Sequence, residues 1–503
     1  MVVGEFTQEA NLVILGGGPA GYAAAFRAAE LGVEDIVIVD PRQDLGGVCL
    51  HAGCIPSKTL LHIVDLINLA RESSTFGVSI GEPEVDPQKI RAWIDGAVSK
   101  LAKGLASRAK SLMIQHLPGT AHFEDGKHIA VTGGSVPRVK FRRAIIATGS
   151  KSKAHPQLPF DGERVISPEE ALRVEEHMTA RPEAGRPRAH GSESRATETP
   201  GSESRGTGHG SETRATRILI LGSNYMAAEL ASIYRALRCE AMIACKGARL
   251  LPEVDRDLVR PLERRMNGLG VAVAHDASVS EAAMEKDIVR ISLQSKSGSS
   301  TAEFDRIIVA RGQDANLESL NLGATQVQTD DGGFIIVDHQ MKTGDPRIFA
   351  AGDVTGGDML ADVALAQGRI AAEVIAGRAE SAFDHRAIPH AIFTDPNIAW
   401  CGVMQEEAET QAMDVGVAKA PWGLSGRAVG MNAAEGLTKI IYDKESQVIL
   451  GVGMVGRGAC EMIGEAVLAI EMGATLDDLA ATMHPHPTMC ELLTDAARSK
   501  IDG

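Results

Sequence analysis

Short uninterrupted apolar runs alternate with glycine-rich turns and alanine-rich stretches through most of the chain. This is the pattern of buried strands connected by helices. Leu12-Val13-Ile14-Leu15 is followed by Gly16-Gly17-Gly18-Pro19-Ala20-Gly21, a stretch of high helix propensity from Tyr22 to Leu31, and a second run, Ile36 to Val39, that ends in Asp40. The order returns at Arg217 to Leu221, Gly222-Ser223-Asn224-Tyr225-Met226-Ala227, Ala228 to Arg235 and Ala241 to Ala244. Two apolar runs end in small residues, Ile145-Ile146-Ala147-Thr148-Gly149 and Ile348-Phe349-Ala350-Ala351-Gly352-Asp353. The last third differs: Leu437 to Tyr442 and Val448 to Val455 read as strands around a polar turn at Asp443 to Ser446, and a helical pattern runs from Cys460 to Met472.

A strand, a glycine-rich turn, a helix and a second strand with an acid 22 residues beyond Gly18 form the arrangement of a dinucleotide-binding unit. Gly16 permits the tight turn, Gly18 lets a pyrophosphate reach backbone N–H groups at the helix N-terminus, Gly21 completes the motif, and Asp40 can accept from a ribose hydroxyl. A glycine-rich turn with no nucleotide is the bland reading, and the strand and acid around it argue against that. The predicted fold is α/β, with two doubly wound, Rossmann-like nucleotide-binding domains and a C-terminal α+β domain. Its boundaries are 1–158, 159–308, a return segment 309–386 to the first domain, and 387–503. The apolar faces of the last domain are extensive enough to predict burial against a second copy of the chain.

Composition narrows the partners. The 503 residues carry 51 Lys and Arg against 66 Asp and Glu, a formal charge of −15, which repels phosphate backbones, so nucleic acid is not an expected partner. Every long apolar stretch is cut by Gly or a charge, so no membrane span is expected, and Met1 to Asn11 does not read as a secretory signal. A cytoplasmic location follows as the expectation. Residues 179–216 contain no Val, Ile, Leu, Met, Phe, Trp, Tyr or Cys and repeat Gly-Ser-Glu-Ser/Thr-Arg three times, which predicts a disordered linker inserted in the second domain.

Seven cysteines are too few for a disulfide scaffold, so a close pair points to catalysis or metal binding. Cys49 and Cys54 form such a pair within Gly46-Gly47-Val48-Cys49-Leu50-His51-Ala52-Gly53-Cys54-Ile55-Pro56-Ser57-Lys58. On one regular helix their Cα atoms would stand roughly 8.6 Å apart. A disulfide tolerates at most about 7 Å, so pairing requires a distorted helix, for which Gly53 supplies freedom and Pro56 a stop. A zinc site would need two more ligands at suitable spacing; His51 is at hand, but no further Cys or His pair is, and no metal is expected.

The segment Gly46 to Lys58 resembles that of the flavin-linked disulfide oxidoreductases. Phe349 to Val354, Phe393-Thr394-Asp395-Pro396, Ser425-Gly426-Arg427-Ala428 and His484-Pro485-His486-Pro487-Thr488 extend the resemblance along nearly the whole chain, most closely to the dihydrolipoamide-oxidising branch. The resemblance implies that the first unit, with Thr148, Gly149 and Asp353, holds FAD. It also implies that Cys49 exchanges thiols with substrate, that Cys54 faces the flavin as a thiolate, and that Lys58 lies near the flavin and pairs with Glu229, seven residues beyond Gly222. It further implies a homodimer in which His486, as proton acceptor oriented by Glu491, reaches the dithiol of the other subunit. The expected partner is a lipoyl-bearing protein of a 2-oxoacid dehydrogenase or glycine-cleavage complex. Glu491 has a second reading, since Thr488-Met489-Cys490-Glu491 is a capping box before Leu492-Leu493; Glu229 could likewise be an ordinary surface acid.

The second unit departs from that family. Ser223, Asn224 and Ala227 stand where Gly is usual, Cys245 where an acid is, and Gln313 where Arg is. Lys246 falls where relatives that use NADPH carry a cation. NAD is the expected acceptor, with NADPH, a non-nicotinamide acceptor, or an electron-bridging role in a multienzyme complex as alternatives.

Overall fold

The computed structural model describes residues 7–174, 215–296 and 298–501; the low-complexity stretch lies outside them apart from its last two residues. Three sheets and the helices packed on them carry the architecture. The first sheet runs in the order Gln115–Pro118, Ile36–Asp40, Thr7–Leu15, Arg138–Ile146, His128–Thr132, Thr120–Phe123. Its first four strands are parallel, and the last two are an antiparallel addition. Ile348–Ala350, some 200 residues later in sequence, pairs in parallel with the end of Arg138–Ile146 and so completes this sheet. The fully buried runs Leu12 to Leu15 and Ile36 to Val39 have no polar face, as central parallel strands require.

Glycine positions in the first turn follow from close packing. Gly16 has φ +111°, and a Cβ there would fall 2.2 Å from the Ala147 carbonyl oxygen. At Gly21 it would fall 1.9 Å from the Gly16 carbonyl oxygen, so only glycine lets the helix Pro19–Glu30 approach the strand before it.

The second sheet repeats the design: Ala272–Ala274, Glu240–Ala244, Arg217–Leu221, Arg306–Val309 and Val165–Ile166 are all parallel. The helix Tyr225–Ala236 follows its glycine turn. A three-stranded antiparallel meander, Ser278–Met284, Val289–Ser295 and Gly298–Phe304, packs beside it.

The third sheet is antiparallel, in the order His390–Ile392, Ile398–Gly402, Ile449–Val455, Leu437–Asp443, Val415–Pro421. The helices Ala459–Glu471 and Glu491–Ile501 bury their apolar faces on it, through Met462, Ile463, Ala466, Leu492 and Leu493. Leu424, Leu468, Met472 and Met483 of this region remain exposed on the single chain. Among the described residues, no helix is long and apolar enough to cross a membrane.

Candidate active site

The helix carrying the two cysteines is broken once. Gly47–Ala52 ends at Gly53, whose φ of −137° and ψ of −111° are not helical, and a new helix, Cys54–Glu72, starts at the next residue. The interruption answers the geometric conflict of one continuous helix, because Cys49 and Cys54 now belong to two helical segments and each thiol shifts the other's titration. Pro56, expected as a stop, sits instead in the first turn of the second helix, where its missing N–H leaves no intrahelical bond unmade.

The pair is electrostatically asymmetric. The hydrogen bond donated by Cys49, and after it the charge of Lys58, hold the Cys54 thiol below the ordinary thiol range despite its burial. The same hydrogen bond, reinforced by burial, pushes Cys49 well up. One thiolate is therefore favoured, on Cys54, with Cys49 as its donor.

Lys58 is held by a buried carboxylate. Its Nζ lies 2.7 Å from both oxygens of Glu229, which is 3% exposed and also accepts the Phe393 backbone N–H at 3.0 Å. Glu229 is thus no surface acid. The Lys58 ammonium also lies 4.8 Å from the Phe393 ring centroid and 6.0 Å from that of Tyr225. The family resemblance implied the Lys58–Glu229 pair but gave no sign of the two rings, which lie some 170 residues apart in sequence.

A cavity of about 440 Å³ joins these groups to the first glycine turn. Gly16, Gly18, Asp40, Cys49, Cys54, Lys58, Thr148, Gly149, Glu229 and Asp353 all line it, whereas Gly21 is packed against the strand behind. Asp40 accepts the backbone N–H groups of Gly17 at 2.6 Å and Arg42 at 2.8 Å. Burial raises the Asp353 carboxyl, and the Ser150 hydroxyl, donating at 2.5 Å, partly offsets this. Thr148 donates its hydroxyl to the Asn316 carbonyl at 2.7 Å. Gly222, in the second turn, does not line the cavity.

His486 and Glu491 do not line this cavity either. His486 is 81% exposed, and its Nδ1 lies 2.9 Å from Glu491 Oε1. Glu491 Oε2 accepts the Thr488 backbone N–H at 2.8 Å, so the capping and the orienting contacts coexist, one on each oxygen. That hydrogen bond to His486, then the one from Thr488, keep the Glu491 carboxyl below its ordinary range. The His484 ring, 8% exposed, lies between Glu465 and Thr494 at 2.8 and 2.9 Å. Of the remaining cysteines, Cys239, Cys245 and Cys401 are buried, and Cys460 and Cys490 are partly so.

Residues 10–368 match the family model of the pyridine nucleotide-disulphide oxidoreductases, and residues 388–497 match that of the family's dimerisation domain. The chain belongs to this family. Similar relatives include the dihydrolipoyl dehydrogenases of Haemophilus influenzae, 34% identical over 97% of this chain and 94% of that one, and of Vibrio cholerae, 35% identical over 97% and 95%. The enzyme of that name from Thermus scotoductus is 35% identical over 97% of both chains. In fold the chain is similar to the crystal structure of LpdA from Mycobacterium tuberculosis, with a TM-score of 0.83 at 24% identity over 98% of this chain and 99% of that one. It is also similar to the HOCl-induced flavoprotein disulfide reductase RclA from Escherichia coli, with a TM-score of 0.79 at 22% identity over 97% and 99%.

Family membership implies FAD and a pyridine nucleotide, and the first unit fits a flavin dinucleotide. Its helix N-terminus is left uncapped by any side chain at Gly18. Arg42, missed by the sequence reading, lines the cavity beside Asp40 with a buried Nη1 that has no partner among the described residues.

Proposed function

We propose that the chain is a dihydrolipoyl dehydrogenase that oxidises protein-bound dihydrolipoamide at Cys49 and Cys54. The asymmetric dithiol carries the reading: one low-lying thiolate, Cys54, stands beside the Lys58 cation at the wall of the large cavity, with Cys49 as the second sulfur. FAD, when bound there, supplies an acceptor for the two electrons of a dithiol. Gly16, Gly18 and Asp40 would hold its dinucleotide end, Arg42 would meet its polar groups, and Lys58, Thr148, Gly149 and Asp353 would line the redox-active end.

The reaction starts from the oxidised pair: a substrate thiolate attacks Cys49, breaking the Cys49–Cys54 disulfide, releasing Cys54 as a thiolate and forming a mixed disulfide with Cys49. The second substrate sulfur then displaces Cys49, so the substrate leaves as its own disulfide and both cysteines are left reduced. A base must accept the substrate's thiol proton, and His486 held by Glu491 is suited to it. Since His486 is exposed and away from its own chain's cavity, the working unit is a homodimer in which it serves the neighbouring subunit. The dimerisation-domain match and the exposed Leu468, Met472 and Met483 support that arrangement. In the same reading NAD⁺ is the final acceptor, the natural partner is a lipoyl domain of a 2-oxoacid dehydrogenase or glycine-cleavage complex, and the location is cytoplasmic. The domains divide at 158, 308 and 386.

Anaerobic mixing of the flavoprotein with dihydrolipoamide tests the proposal. A long-wavelength charge-transfer band should grow, and Cys49→Ser should abolish dihydrolipoamide oxidation. Absence of the band in the unaltered protein, or turnover surviving in Cys49→Ser, would exclude this chemistry.

A further inference from the structure

The two dinucleotide units of this chain finish their turns differently, and the contrast bears on the electron acceptor. In the first, Gly18 caps the helix with no side chain, and strand Ile36–Asp40 ends in a carboxylate facing the cavity. In the second, the equivalent capping position is Asn224, whose Oδ1 accepts the Ala227 backbone N–H at 3.2 Å. The side chain therefore lies across the helix N-terminus and engages one of the donors that a pyrophosphate would need. A neighbouring loop draws in behind it, with the Leu251 N–H donating to the Ser223 carbonyl at 2.7 Å.

The end of the second strand is also changed. Cys245 follows Glu240–Ala244, is fully buried, and lies 3.7 Å from the Gly222 carbonyl through its sulfur. Burial pushes its thiol up to about 12, so it stays neutral and offers a ribose no carboxylate acceptor. The next residue, Lys246, is exposed. A carboxylate at this place favours a free 2′-hydroxyl and repels a 2′-phosphate; a buried thiol beside a lysine does neither.

We propose that Asn224 weakens dinucleotide binding by capping the helix itself, and that Cys245 with Lys246 removes discrimination at the ribose 2′ position, so that NAD⁺ and NADP⁺ bind weakly and nearly alike. This rests on the reading above that electrons leave through a nicotinamide. A tightly NAD-selective site does not fit these residues.

The test uses full-length FAD-loaded protein in double-mixing stopped flow. Dihydrolipoamide first reduces the protein anaerobically, and growth of the charge-transfer band reports that half-reaction separately. NAD⁺ or NADP⁺ is then added over a concentration series, and the saturation of the reoxidation rate gives an apparent Kd for each. The two constants should agree within about tenfold. Asn224→Gly, which frees the helix terminus while keeping a tolerated cap, should lower both by about fivefold to tenfold. Cys245→Glu should raise the preference for NAD⁺ at least tenfold. Because that change buries a charge, Lys246→Glu on the exposed neighbour provides a second reading and should weaken NADP⁺ more than NAD⁺.

An unaltered protein that prefers one nucleotide by more than a hundredfold would overturn the proposal, as would Asn224→Gly leaving both constants unchanged. If neither nucleotide discharges the band in the unaltered protein or in Asn224→Gly, this proposal falls together with the nicotinamide acceptor. If the band itself never forms, it is the dihydrolipoamide reading that falls.

Discussion

Lys58 and Glu229 join the redox helix to the second dinucleotide unit: the ammonium lies 2.7 Å from each carboxylate oxygen, with Glu229 almost fully enclosed and Lys58 about a third exposed. A buried carboxylate left without its cation is costly, so Lys58→Met should destabilise the protein by about 2 kcal/mol, less than the 3–5 typical of fully buried pairs because solvent reaches the lysine. Glu229→Gln should cost a similar amount. The double variant should lose less than the sum of the two in thermal unfolding of the FAD-loaded protein, and strict additivity would show that the pair is not coupled.

The asymmetry of the dithiol predicts a pH dependence. Cys54 titrates below the usual thiol range because Cys49 donates to it and Lys58 stands nearby. The thiolate is present above that lowered value and is lost as pH falls through it. The charge-transfer band of the two-electron-reduced protein should therefore persist below the pH at which an ordinary thiol protonates. In Lys58→Met its loss should move to higher pH. A band with the same pH profile in both proteins would remove Lys58 from the electrostatics of the site.

The sequence made the glycine turns, the parallel strands and the cysteine pair legible because each rests on local spacing. Leu12 to Leu15 and Ile36 to Val39 lie in central strands as their continuous apolarity predicted. The sequence predicts a return of 309–386 to the first domain, but local spacing could not reveal that Ile348–Ala350 pairs in parallel with Arg138–Ile146, or that the Phe393 and Tyr225 rings flank Lys58. These contacts join residues far apart in sequence and depend on tertiary packing alone. Asn224 shows the opposite case, in which one residue type at a known turn position was legible as a departure, and only its hydrogen bond to Ala227 gave the departure a mechanism.

A shared active site predicts complementation between inactive proteins. His486→Gln and Cys49→Ser homodimers should each be inactive or nearly so, the first reduced by about 10² or more if His486 moves the proton. Mixed after subunit exchange, half of the dimers carry one site with both groups intact, and activity should return to about a quarter of the unaltered level. No recovery, with exchange verified by mass spectrometry, would mean that His486 serves its own chain or neither. Glu491→Gln should lower the rate less than loss of His486 does, because it alters only how the ring is held.

Lys439 is 1% exposed at the seam between the third sheet and the second dinucleotide unit, where its ammonium pairs with Asp255 and, at 2.6 Å, with Asp257. Asp255 also accepts the backbone N–H groups of Gln405 and Glu406, and Asp257 is paired with Lys419 at 2.8 Å, so the network spans four elements. Lys439→Met keeps the length of the side chain while leaving the buried Asp255 without its cation, and should destabilise the protein by about 3 kcal/mol. Burial would raise the Asp257 carboxyl, but hydrogen bonds from Lys419 and Lys439 outweigh it and lower its pKa. A lowered carboxylate pKa contributes stability above the unfolded value near 4, and that contribution is lost as pH falls through the folded value. The unaltered protein should therefore lose thermal stability more steeply than Lys439→Met below about pH 4.5, bringing the two curves together in acid. Parallel curves across that window would show that Lys439 acts through packing and not through its charge.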